Sequence, residues 1–100
     1  MILYNITMNI DPAVERDLLR WMKNEHIPAI MDTGLPVDSK ILKLLTEVDN
    51  GGVTYTFQYW FRAMEDFVTY QSFHQPALQQ QVADRYANKY VSFRTLLEEA

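Results

Sequence analysis

One hundred residues, 48% hydrophobic and 13% aromatic, are enough for one packed core and too few for two, so a single domain over residues 1–100 is expected. Nine basic against thirteen acidic side chains give a net charge of −4 with no block of like charge, which argues against nucleic acid and an anionic membrane surface as partners. The chain has no cysteine, so disulfides, thiolate catalysis and cysteine-held zinc are excluded; with neither a basic-flanked apolar leader nor an apolar run near ~20 residues, a soluble cytoplasmic protein is expected.

Ile2, Tyr4, Ile6, Met8 and Ile10 alternate with Leu3, Asn5, Thr7 and Asn9, the period of a strand with one apolar face. Asp11-Pro12 supplies an N-cap oxygen and a residue suited to the first helical turn, and Glu15 and Asp17 follow where the helix dipole favours negative charge. Val14, Leu18, Trp21 and Met22 then share one helical arc. Pro28 has no N–H to donate to Asn24, which predicts a break or kink near Glu25 to Ile27, one more turn over Ala29 to Asp32, and closure at Gly34 and Pro36. Lys40 to Val48 reads as a second strand, joined through the turn signal Asp49-Asn50-Gly51-Gly52 to a third over Val53 to Phe61. The odd positions of that third strand, Val53, Tyr55, Phe57, Tyr59 and Phe61, are all large and apolar or aromatic. A second helix is predicted from about Met64, with Phe67, Tyr70, His74, Leu78 and Val82 on its buried arc and a break at Pro76. Tyr90 to Leu97 closes the order as a fourth strand.

The order βαββαβ with right-handed crossovers is an α+β ferredoxin-like sandwich, one antiparallel sheet with both helices on a single face. The other face is expected to carry Asn5, Thr7, Asn9, Thr54, Thr56, Gln58, Ser92 and Arg94, polar and almost uncharged. Such a face suits a second copy of the chain, against the plainer alternative of a solvated sheet. The chain's two histidines stand in similar pentapeptides, His26-Ile27-Pro28-Ala29-Ile30 and His74-Gln75-Pro76-Ala77-Leu78, at equivalent points of the two βαβ halves.

With this order, and with Trp21-Met22-Lys23-Asn24-Glu25-His26-Ile27-Pro28 near the end of the first helix, the chain resembles the dimeric α/β-barrel superfamily, whose ferredoxin-like subunits pack their sheets together. The segments Met22 to Gly34, Gly51 to Tyr59 and Tyr90 to Leu97 are similar to a small bacterial domain-of-unknown-function family. The resemblance implies a homodimer. It implies no single activity, because the superfamily includes cofactor-free monooxygenases, muconolactone isomerases, haem-degrading enzymes, chlorite dismutases and proteins that only bind small ligands.

A ligand is expected between the helices and the apolar sheet face, where the helix breaks open a gap. In a regular helix Glu25 would enter the buried arc with His26 at its border, so His26 is the candidate base or ligand anchor and Glu25 the carboxylate that tunes it. Trp21, Tyr55 and Tyr59 would form an aromatic wall for a small hydrophobic or aromatic ligand, with His74 at its border and Tyr4 and Tyr70 as further donors. Each has a plainer reading: His26 capping carbonyls at a helix end, His74 as a satisfied core histidine, the aromatics as packing. Arg94 would either anchor an anion on the polar sheet face or pair with an acid across a dimer contact. No H-x-x-x-H or comparable spacing supports a metal, and no cofactor is expected; haem is a third reading that an absorption spectrum decides. The two functions in play are a small-molecule-binding protein, with cofactor-independent isomerase or monooxygenase chemistry within its reach, and a non-catalytic interaction module with a solid aromatic core.

Overall fold

The computed structural model describes residues 1–46 and 50–100. Strand β1 (Ile2–Ile10) runs into a 3₁₀ turn over Pro12–Val14, where the Asp11 carboxylate accepts from the Ala13 N–H at 2.9 Å. Helix α1 (Glu15–Trp21), a π-helical turn (Met22–His26) and α2 (Ile27–Met31) then form one helical run. Right-handed helical dihedrals continue through His26 and Ile27, so Pro28 does not break the helix as its sequence predicts. The wide turn absorbs the missing donor instead, and Pro28 sits in the first turn of α2, where no N–H is needed.

Gly34, at φ 76°, turns the chain out of α2 into β2 (Pro36–Lys43). This strand starts four residues before the predicted Lys40, and the far end of the predicted segment, with Asp49 of the turn signal, lies outside the described residues. At the far side of the hairpin Gly51 takes φ 76°, a left-handed conformation that favours glycine, and a Cβ on Gly52 would force the Asn9 side chain to move. Strand β3 (Val53–Phe61) leads to α3 (Met64–Phe73) and α4 (Gln75–Arg85), which are separated at His74 as Pro76 predicts, and β4 (Tyr90–Glu98) completes the sheet.

The sheet order is β2-β3-β1-β4 with every neighbouring pair antiparallel, the ferredoxin-like α+β arrangement. Its helix-facing side holds the core: Ile2, Tyr4, Met8 and Ile10 of β1, and Tyr55, Phe57, Tyr59 and Phe61 of β3, as their alternation predicts. Leu18, Trp21 and Met22 close over them from the first helical run, and Phe67, Tyr70 and Val82 from the second.

The register of β4 overturns one expectation. Ser92 lies opposite Met8 and Arg94 opposite Ile6, so both share the helix-facing side with their β1 partners. Val91 and Phe93, opposite Asn9 and Thr7, take the open face instead, at 69% and 62% exposure. Leu42 and Leu44 of the β2 edge are also exposed there, level with Thr56 and Thr54. The open face is therefore a polar centre on β1 and β3 with exposed apolar side chains at both edges, joined on β2 by Asp38 and Lys40, rather than polar and almost uncharged throughout. Among the described residues no helix is long and apolar enough to cross a membrane.

Candidate functional site

A small cavity lies where the π turn, α2, α3 and α4 cover β1 and β4. Its free space is about 30 Å³, close to that of one water molecule. Met22, Ile30, Leu78 and Val82 give it apolar walls, while Tyr4, His26, Tyr70, Gln75, Ser92 and Arg94 bring polar groups to it. The Tyr4 hydroxyl, His26 Nδ1 and Gln75 Oε1 are buried and make no hydrogen bond among the described residues. The cost of a buried unmade hydrogen bond is about 1–3 kcal/mol, so three around one water-sized cavity call for a polar occupant, a water molecule or the polar part of a ligand.

His26 reaches the cavity because of the π turn. In a regular helix Glu25 would point inward with His26 at the border; a turn carrying more residues swings Glu25 out and His26 in. His26 is 6% exposed and stacks on Trp21, with ring centroids 4.8 Å apart and planes 24° apart. Burial lowers its pKa to about 4, so the imidazole is neutral at physiological pH, able to donate at one nitrogen and accept at the other. Glu25 is exposed in an outer groove with Asp17, Arg20 and Arg85, so it does not enter the aromatic environment beside His26 as expected.

Trp21, Tyr59 and His74 form a second layer rather than the wall. Trp21 backs His26 and carries the Arg85 guanidinium 5.3 Å from its ring centre on the outer side. Tyr59 lies behind Tyr4, at 6.4 Å between ring centroids, and His74 stacks on Tyr70 at 6.4 Å and 22°. Tyr55 stands apart: its hydroxyl donates to Glu15 Oε2 at 2.6 Å, and burial together with that carboxylate pushes its pKa up to about 12. Of Trp21, Glu25, His26, Tyr55, Tyr59 and His74, His26 alone lines the cavity, joined there by Tyr4 and Tyr70, the further donors expected.

Arg94, expected on the opposite face, is at the mouth. Burial pushes the Tyr4 and Tyr70 hydroxyls up, and the guanidinium of Arg94 offsets part of that shift for each, which places its charge beside both. Gln75 and Ser92 also line the cavity and had no signal in the sequence beyond their neighbourhood to Pro76 and Arg94. Among the described residues no three His, Asp or Glu side chains gather as metal ligands would.

Fold and cavity together define a ferredoxin-like α+β domain with a small, partly polar cavity under its helices. The chain belongs to the DUF4286 family, a domain of unknown function, whose model matches residues 1–100. No curated protein matches it significantly. Among solved structures it is similar to an ethyl tert-butyl ether degradation (EthD) family protein from Bacillus halodurans, at 13% identity, TM-score 0.70 and full coverage of both chains. It is also similar to a dimeric ferredoxin-like protein from an uncultured marine organism, at 10% identity and TM-score 0.62 over 99% of this chain and 95% of the other. The hydroxynitrile lyase of Passiflora edulis matches at 17% identity and TM-score 0.60, over 99% and 95%. At these identities the likeness is one of fold.

Proposed function

We propose that this is a cytoplasmic, homodimeric small-molecule-binding protein whose site is the cavity at His26, with cofactor-independent proton transfer as the chemistry within its reach. The observation that carries the reading is the convergence of Tyr4, His26 and Gln75, each with a buried polar atom unpaired among the described residues, on one cavity. A neutral imidazole there serves as hydrogen-bond anchor, and as proton acceptor for a substrate whose own acidity is raised by the neighbouring donors. A hydroxynitrile lyase and an EthD family protein share this fold, which supports the small-molecule reading. The homodimer is supported by the exposed apolar side chains at the edges of the open sheet face and by dimeric ferredoxin-like proteins of the same fold.

The test is native mass spectrometry of protein purified gently from its own source, followed by His26→Ala. A defined retained mass in the wild type that disappears in the variant, with assembly unchanged, is the expected result; retention unaffected by the substitution overturns the role of His26. A second reading, a non-catalytic interaction module with a solid core, is favoured by the water-sized free space of about 30 Å³. It predicts no retained mass and no effect of His26→Ala beyond stability.

A further inference from the structure

We propose that the cavity takes a small monocarboxylate with an apolar body, its head held by Arg94, Tyr4 and Tyr70. The inference rests on the small-molecule reading above and adds the ligand's charge and shape. The cavity wall contains one cation and no acid, although acids outnumber bases in the chain as a whole. The carboxylates of the first helix are engaged elsewhere: Glu15 accepts from Tyr55, Asp17 accepts from Tyr86 at 2.7 Å, and Glu25 lies in the outer groove. Arg94 makes no ion pair among the described residues. A guanidinium left without a carboxylate beside buried hydroxyls is matched by an incoming one, because its fork of donors fits two coplanar oxygens.

The count of charge selects the class further. His26 is neutral, so the site offers a single positive charge and suits a monoanion better than a phosphate dianion. Tyr4 and Tyr70, with ring centroids 6.4 Å apart, keep their protons and act as donors to the head. Beyond them Met22, Ile30, Leu78 and Val82 give the cavity a mainly apolar wall, broken by His26 and Gln75, which suits a ligand body that is mainly apolar.

Free space of about 30 Å³ admits no such molecule until the roof lifts. That roof is α4, whose one buried residue is Val82. Its sequence, Gln75–Arg85, is mostly polar, so movement of its His74 end exposes little beyond Leu78 while Tyr86 at the far end stays bonded to Asp17.

The test titrates the protein with benzoate and with benzamide, its neutral isostere, following tryptophan fluorescence, to which Trp21 and Trp60 contribute, and calorimetric heat. Benzoate is expected to bind at least tenfold more tightly than benzamide. Arg94→Gln, at an exposed position where folding is not at stake, should erase that preference, Arg94→Lys should keep part of it, and Ser92→Phe, which fills the cavity, should expel both compounds. Equal binding of the two, lost together in Ser92→Phe, leaves the pocket standing and overturns the carboxylate. Benzoate binding that survives Ser92→Phe lies elsewhere and also overturns it, and absence of binding by either compound removes both the ligand class and the pocket.

Discussion

Burying a neutral imidazole links His26 to the stability of the whole protein. Its folded pKa of about 4 lies below the ordinary value of 6.5, so between those values the unfolded chain takes up a proton that the folded protein refuses. Stability from this residue is complete above pH 6.5 and is lost as pH falls toward 4, a difference of roughly 3 kcal/mol at about 1.36 kcal/mol per unit. Urea denaturation at pH 7 and pH 4.5 should therefore show a large loss for the wild type and a smaller one for His26→Gln, which keeps the size and polarity but not the titration. Parallel losses in the two proteins would remove the buried neutral histidine from the account. The residue itself was legible in the sequence through its apolar neighbourhood and Pro28, but its supposed partner was not. Whether Glu25 or His26 faces inward depends on the width of one helical turn, and a 100° periodicity assigns the wrong residue once that turn becomes π-helical.

Helix α1 is pinned in its first turn by hydrogen bonds from two tyrosines to its carboxylates. Tyr55 on β3 donates to Glu15, and Tyr86, just after α4, donates to Asp17. These pins fix the height of the helical run over the sheet, and through it the position of the π turn that carries His26. Tyr55→Phe removes one pin and leaves the ring packed; it should cost about 1 kcal/mol in thermal or chemical denaturation, within the usual range for one hydrogen bond in a partly exposed setting. No measurable change would mean that Glu15 is equally well solvated without Tyr55. At this scale β1 and β3 were the most legible elements, because each has one face of large apolar residues and one of Asn, Thr or Gln over most of its length. β4 was misleading for a physical reason. Val91-Phe93-Thr95-Leu97 is the more apolar of its two faces, yet pairing with β1, which decides the matter, turns Tyr90-Ser92-Arg94-Leu96 toward the helices. That one reversal hid Arg94 from the site and Phe93 from the open face. β2 began early because Pro36, read as closing the preceding element, is tolerated at the first position of an edge strand.

A four-stranded sheet covered on one side by helices leaves the other side to water or to a partner, and the distribution of side chains favours the partner. A solvated face would gather charge at its edges. Here Val91, Phe93 and Leu97 line one edge without a charge, and Leu42 and Leu44 extend the other beyond Asp38 and Lys40, all exposed. The centre is held by hydrogen bonds between its own side chains, Asn5 to Thr7 at 3.2 Å and Asn9 to Thr54 at 2.9 Å, while Asn5 Oδ1 and Thr56 Oγ1 are unpaired among the described residues. Two copies meeting face to face would bury the apolar edges and offer partners to the unpaired centre, the division between apolar contact and polar specificity found in stable interfaces. A single charge on the most exposed aromatic of that face is the direct test. Phe93→Asp places an unpaired carboxylate in the contact without touching the helix-facing core or the cavity, so sedimentation velocity should show a dimer for the wild type and a monomer for the variant, with the circular dichroism spectrum of the subunit unchanged. A variant that sediments as the wild type does would place the dimer contact away from Phe93, and a monomeric wild type would return the open face to solvent.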